Sequence, residues 1–165
     1  MLDLVSQLVA VESTLKNLAT EWVIVLDDDG AVLFNAQGDA ISVGLPKEEA
    51  AKFIGKTLTH YHPVVTSFSE SDIAIAACYQ LREIRAVDDE HLYRMRSPTE
   101  GWDEFQWRQK LRAVFEKVEA EQFGLFFDRL NAGEISQQEF NRELYHAIWL
   151  GFAKETGAFY ERQSR

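Results

Sequence analysis

His60, His62 and Asp72 are the residues whose types and spacing best suit chemistry in this chain. They lie in the stretch Thr59-His60-Tyr61-His62-Pro63, followed after a gap by Ser69-Glu70-Ser71-Asp72, which reads His-x-His-Pro and then Ser-x-x-Asp. Residues Thr57 to His62 follow Gly55 and are rich in β-branched and aromatic side chains, a strand pattern. Side chains alternate along a strand, so His60 and His62 share one face and Tyr61 takes the other. Pro63 ends the strand. Ser69 opens a helix whose first turn lies beside the strand end that feeds it, so Asp72 can return to the two imidazoles. Two nitrogens and one carboxylate oxygen, with one position left open, are the ligand set of a catalytic zinc site. Ser-x-x-Asp is also close to a capping box, with Ser69 accepting from the amide of Asp72 and Asp72 complementing the helix dipole. His-x-His by itself arises by chance in many chains. The two halves together, across one strand-to-helix junction, are much rarer than either alone, and this conjunction favours a metal site.

The stretch resembles the signature of the JAMM/MPN+ (JAB domain) zinc metalloprotease family: His-x-His-Pro, a gap, Ser-x-x-Asp, and a glutamate upstream on an earlier strand. The resemblance covers roughly residues 20 to 97. It implies that His60, His62 and Asp72 hold one Zn2+ per chain, and that Ser69 steadies the transition state. In that family the glutamate stands at the start of an early strand, and here Glu21 precedes Trp22-Val23-Ile24-Val25-Leu26. The gap between His62 and Ser69 is one residue shorter than is usual in the family's peptidases. That gap and the run Ile84-Arg85-Ala86-Val87 look more like the JAMM-like domains attached to phage head-assembly proteins, a prokaryotic or phage branch.

The resemblance implies a peptidase or isopeptidase that hydrolyses an amide bond through a metal-activated water, with Glu21 as general acid and base. The residue pattern alone nominates the His/His/Asp cluster but leaves Glu12, Glu21 and Glu48 open as the base. The alternative is a JAMM-like module without activity that serves binding, assembly or defence through its C-terminal helices. An intact set of Glu, two His, Ser and Asp argues against a simple dead site. A zinc deaminase, whose fold is related, needs a Pro-Cys-x-x-Cys ligand pair, and this chain has a single cysteine.

The elements that must position these residues alternate between strand and helix. Residues 2 to 20 carry leucines and valines at helical spacing. Trp22 to Leu26 and Ala31 to Asn35 flank the turn Asp27-Asp28-Asp29-Gly30, and Ala40 to Val43 reads as a third strand. Pro46 opens a short helix that Gly55 closes. Ser69 to Leu81 is the next helix, with Ile73, Ala76, Ala77 and Cys78 facing inward. Glu83 to Val87 and His91 to Met95 form a second hairpin, with His91 a solvated strand residue. This order predicts an α/β fold, a three-layer sandwich around a central mixed sheet, as in the JAMM/MPN and cytidine-deaminase-like folds.

Ser97-Pro98-Thr99-Glu100-Gly101 is a break. It divides the chain into 1–97, the metal-binding domain, and 98–165, an aromatic-rich extension read as helical throughout. Trp102 to about Leu130 forms one long helix bent near Gly124, and the capping box Ser136 to Glu139 starts a last helix to about Tyr160. Asp128 to Glu139 has the outline of a calcium loop, but Leu130 and Ala132 stand where ligands are needed. His146 reads as an ordinary helix residue. The extension holds 13 of the 20 aromatic residues. These rings either pack on each other and the sheet, or leave a surface within residues 102–160 for a protein partner or a second copy.

Composition limits the partners. The chain has 165 residues and a net charge of −10, and an acidic surface repels phosphate backbones, which argues against nucleic acid and phosphodiester substrates. A protein or peptide substrate is expected. No run has the length of a membrane span and the start lacks the pattern of a signal peptide. One cysteine suits a reducing compartment, so a cytoplasmic location is expected.

Overall fold

In a computed structural model that describes residues 3–39 and 44–165, the chain opens with helix α1 (Leu4–Thr14), capped by the Asp3 carboxylate on the Ser6 amide. Strands β1 (Trp22–Leu26) and β2 (Val32–Gln37) follow, then a 3-10 turn over Lys47–Glu49 that leads into α2 (Ala50–Phe53). Strand β3 (Thr57–Tyr61), helix α3 (Glu70–Cys78), and strands β4 (Glu83–Val87) and β5 (His91–Arg96) complete the first part. The remainder comprises α4 (Glu104–Gln106), a π-helical stretch (Trp107–Leu111), α5 (Arg112–Asn131), α6 (Gln137–Thr156) and strand β6 (Phe159–Ser164). The expected strand over residues 40–43 lies outside the described residues. Among the described residues, no helix is long and apolar enough to cross a membrane.

The six strands form one mixed sheet in the order β2-β1-β3-β4-β5-β6. β3 and β4 are parallel, joined by a crossover through α3, and the other neighbours are antiparallel. β3 and β4 are buried along their whole length, as expected of central strands covered on both faces. On one face Leu15, Tyr61 and Val87 form a small cluster with Val11 and Leu18 under α1. On the other, Val23, Leu58, Ile84, Ala86, Tyr93 and Met95 join residues of α3, α5 and α6 in the main core. The chain is thus an α/β protein with helices on both faces of a six-stranded mixed sheet.

Several expectations are corrected. The first helix ends at Thr14 rather than near residue 20; Leu15 and Leu18 still pack on the sheet, but from a loop in which Asn17 takes a positive φ of 53°. Cys78 is exposed, because the inward face of α3 is already taken by Ile73, Ala76 and Ala77 and each residue turns the helix by about 100°. His91 is not solvated: its side chain is 17% exposed, and its buried Nδ1 makes no hydrogen bond but lies 3.7 Å from Asp88 Oδ1. The irregularity of the long helix falls at the π-helical stretch 107–111, and α5 runs uninterrupted through Gly124.

The largest correction is at the C-terminus, where the chain is not helical throughout. Gly157, at φ 74°, ends α6 in the left-handed conformation that suits glycine at a helix end. The chain then turns back as β6 and pairs with β5 from Phe159↔Arg96 to Ser164↔His91. The hydrophobic core runs across residue 98 without a break: Trp102, Trp107, Phe115, Phe140, Trp149 and Phe152 pack in one cluster with Val23, Phe68 and Ile84. Most of the aromatic rings are therefore buried, while Phe105, Phe123 and Phe127 stay exposed.

Candidate metal centre

The site stands where β3 ends and α3 begins, outside the carboxyl end of a parallel strand, the usual place for ligands in α/β sheets. His60 pairs in register with Val23 on one side and Ala86 on the other, and the small Ala86 leaves room beside the imidazole. His60 and His62 project to the same face, as their spacing predicts, and are 3% and 7% exposed at the side chain. Asp72 closes the group from the first turn of α3. One ligand atom from each of the three lies within 4.8 Å of the others.

The Nε2 atoms of His60 and His62 are 2.8 Å apart. His60 Nε2 lies 3.4 Å from Asp72 Oδ1 and His62 Nε2 lies 3.6 Å from Asp72 Oδ2. Tetrahedral coordination with bonds of about 2.0–2.2 Å sets its ligands about 3.3–3.6 Å apart. Two of the three separations meet that range, and the third needs to open by about half an ångström. The hydrogen positions agree. A carbonyl only accepts, so the contact of 3.2 Å between His62 Nδ1 and the Thr66 carbonyl puts the hydrogen on Nδ1 and leaves the Nε2 lone pair facing the group in the neutral ring. His60 Nδ1 is buried with no hydrogen-bond partner. If His60 Nε2 donates to His62, that orphan is a buried lone pair; if not, two lone pairs face each other at 2.8 Å. A cation between the rings removes the second conflict, so the three side chains can hold a metal ion.

Contacts within the group also shift the titration of Asp72 and His62. Burial works against ionising Asp72, but His60 and His62 hold its carboxyl well below the usual carboxylate range. Burial likewise opposes protonation of His62, yet the hydrogen bond and charge of Asp72 outweigh it and raise its pKa. The capping reading of Ser-x-x-Asp is fulfilled at the same time. The Ser69 amide and hydroxyl donate to Asp72 Oδ2 at 2.6 and 2.9 Å, and Ser69 Oγ accepts from the Asp72 amide at 3.2 Å. Cap and site are therefore one device: the box fixes Asp72 through Oδ2 and leaves Oδ1 turned to His60.

The three glutamates left open by the sequence separate. Glu12 is buried on the opposite face of the sheet, where Arg85 donates to both its oxygens and Thr59 to one. Glu48 is exposed on the 3-10 turn. Glu21 precedes Trp22, which pairs with Tyr61, so the antiparallel register sets Glu21 beside His62 on the site's own face. It lines the same cavity as the three ligand candidates, about 430 Å³ in volume. Burial raises its pKa, against the pull of His62 and His60 and with Asp72 and Asp39 adding to the rise.

The cavity also has an apolar wall of Leu45, Leu58, Ile75 and Ile84, and Tyr145 of α6 completes it. Nothing in the sequence links Tyr145 or Thr66 to the site. The first arrives by long-range packing, and the second acts through its backbone. The chain matches no family model, no curated protein and no solved structure.

Proposed function

We propose that this protein is a zinc-dependent hydrolase of amide bonds, a peptidase or isopeptidase of the kind that the JAMM/MPN+ resemblance implies. The observation that carries the reading is the convergence of His60, His62 and Asp72 with Glu21 around one cavity, from three separate elements. Two imidazoles and one carboxylate form a ligand set that leaves a position open for water or substrate. A zinc ion held there supplies Lewis acidity, polarising an amide carbonyl and bringing the pKa of a water down to about 7.

The chain's own residues do the rest. Glu21 takes a proton from the attacking water and hands it to the leaving amine. Its raised pKa moves it toward neutral pH, where such a group transfers protons in both directions best. Ser69 Oγ turns from Asp72 Oδ2 to donate to the oxyanion, and its amide keeps Asp72 in place meanwhile. The apolar wall formed by Leu45, Ile75 and Tyr145 holds an apolar side chain of a protein or peptide substrate. The lone Cys78 fits a cytoplasmic setting.

The experiment is a peptide-library screen of the zinc-loaded chain beside Glu21→Gln. The variant loses about 10²–10⁴-fold in turnover and keeps its zinc. Undiminished turnover in the variant removes Glu21 from the mechanism. A second reading, a binding or assembly module without catalysis, is favoured by a different observation: Phe123, Leu125 and Phe127 are 47%, 58% and 46% exposed on α5. Zinc binding with no cleavage of any library member supports that module.

A further inference from the structure

The loop between the two halves of the site, Pro63 to Ser69, is tied down from Thr66 onward, and two of its anchors come from the last thirty residues of the chain. The Thr66 carbonyl accepts from His62 Nδ1. Ser67 Oγ, 1% exposed, shares a hydrogen bond of 2.7 Å with the hydroxyl of Tyr160 in β6. The Phe68 carbonyl accepts from Trp149 Nε1 of α6 at 2.6 Å. Ser69 then caps α3 and grips Asp72. The Phe68 ring is fully buried and lies between His60 and Tyr160, with ring centres 6.2 Å from each. The Tyr160 hydroxyl is itself held by His146 Nδ1 at 3.0 Å, and burial pushes its pKa up, so it keeps its proton.

We propose that Trp149 and Tyr160 are positioning residues for the metal centre, which fix the 66–69 backbone so that Thr66 orients His62 and Ser69 orients Asp72. Neither residue touches the ligand atoms; each acts through one loop residue. Without the two anchors, the carbonyl that sets the His62 tautomer and the cap that aims Asp72 sit on a loop held between its ends only by the buried Phe68 ring. Outer partners of metal ligands typically change affinity about 10–100-fold when removed. The C-terminal segment thereby becomes part of the site rather than an appendage. This inference rests on the metal-binding part of the proposed function.

The test uses the full chain, with zinc as the probe, in Tyr160→Phe, which removes only a hydroxyl, and Trp149→Phe, which keeps a ring but not the N–H. Phe140→Leu is the control, since Phe140 packs against Phe123 and Phe126 away from the loop. Zinc affinity is read by competition with a chromophoric chelator, and backbone protection over residues 62–70 by hydrogen exchange with mass spectrometry. Each anchor variant is expected to bind zinc at least about 10-fold more weakly, with faster exchange confined to the loop. Phe140→Leu lowers the melting temperature but leaves zinc affinity and loop exchange as in the wild type. Unchanged affinity and exchange in both anchor variants overturn the proposal, as does equal weakening in Phe140→Leu. If the wild type binds no zinc, the metal reading fails by itself, and loop exchange alone decides: faster exchange in both variants upholds the anchoring, and unchanged exchange overturns it.

Discussion

On one face of the central strands, Arg85 of β4 donates to both oxygens of Glu12 at 2.6 and 2.9 Å and to Glu83 at 2.8 Å, while Thr59 of β3 donates to Glu12. Arg94 closes the group from β5, donating to both oxygens of Glu83 at 3.1 and 3.2 Å. On the opposite face, His60 of β3 and His62 just past its end meet Asp72 with ring nitrogens facing each other, one Nδ1 orphaned, and a cavity in front. Both groups are buried and polar, and they share strands one peptide apart. They differ in what is left over. In the first, each carboxylate is matched by guanidinium donors. In the second, lone pairs outnumber the donors. A buried polar cluster that satisfies itself serves the fold, and one that turns surplus acceptors toward a cavity is prepared for something absent from the chain.

The first way to sharpen this contrast is to break the closed cluster. Arg85→Met leaves Glu12 buried without its guanidinium partner and Glu83 with Arg94 as its remaining hydrogen-bond partner, and removing one member of a buried ion pair typically costs about 3–5 kcal/mol. Urea unfolding is expected to show that loss, while the variant, once folded, still binds zinc. Loss of zinc binding in a folded Arg85→Met chain would mean that the two faces are not independent.

Acid gives the second test. Burial works against the charge of Glu83, but Arg94 and Arg85 outweigh it and hold its carboxyl below the ordinary 4.5. The unfolded chain therefore takes up this proton first as pH falls. The stabilisation from Glu83 is complete above about pH 4.5 and disappears as pH drops through the lower folded-state value. The stability gap between wild type and Glu83→Gln, from urea midpoints at pH 7 and at pH values below 4.5, is expected to narrow on acidification. A constant gap contradicts it.

A smaller effect separates the two duties of Ser69. Ser69→Ala removes the cap hydroxyl, which costs about 1 kcal/mol of stability, and also frees Asp72 Oδ2 from one of its donors. Ser69→Asn restores a capping acceptor and is expected to recover stability in thermal melts, without recovering turnover. Recovery of both would reduce Ser69 to a cap.

What the sequence makes legible here is local. His60 and His62 share a face because strands alternate, and Asp72 returns because a helix start lies beside the strand that feeds it. The helix-and-strand order up to Arg96 follows from turn residues such as Gly30 and Gly55. Glu21 is harder: its place beside His62 depends on the register of β1 against β3, which no single segment encodes. The last strand carries local signals of its own. Gly157 is an ordinary helix stop, and Phe159-Tyr160-Glu161-Arg162 has strand composition, but the aromatic run of α6 masks the change of period. Trp149 and Tyr160 meet Phe68 and Ser67 across 81 and 93 residues, and only the folded chain brings such pairs together. The same long-range packing draws residues after 98 into the core shared with the sheet.

The most direct measurement is metal content by mass spectrometry on chain purified without added metal, beside the His60→Ala, His62→Ala double variant, with melting followed as zinc is added. About one zinc per wild-type chain and none in the variant are expected. Zinc at about 100 times its Kd is expected to stabilise the wild type by about 2.7 kcal/mol and the variant not at all. A wild type that holds no metal and melts at the same temperature with or without zinc would contradict the metal site, leaving the two histidines as packed strand residues and Asp72 as a helix cap.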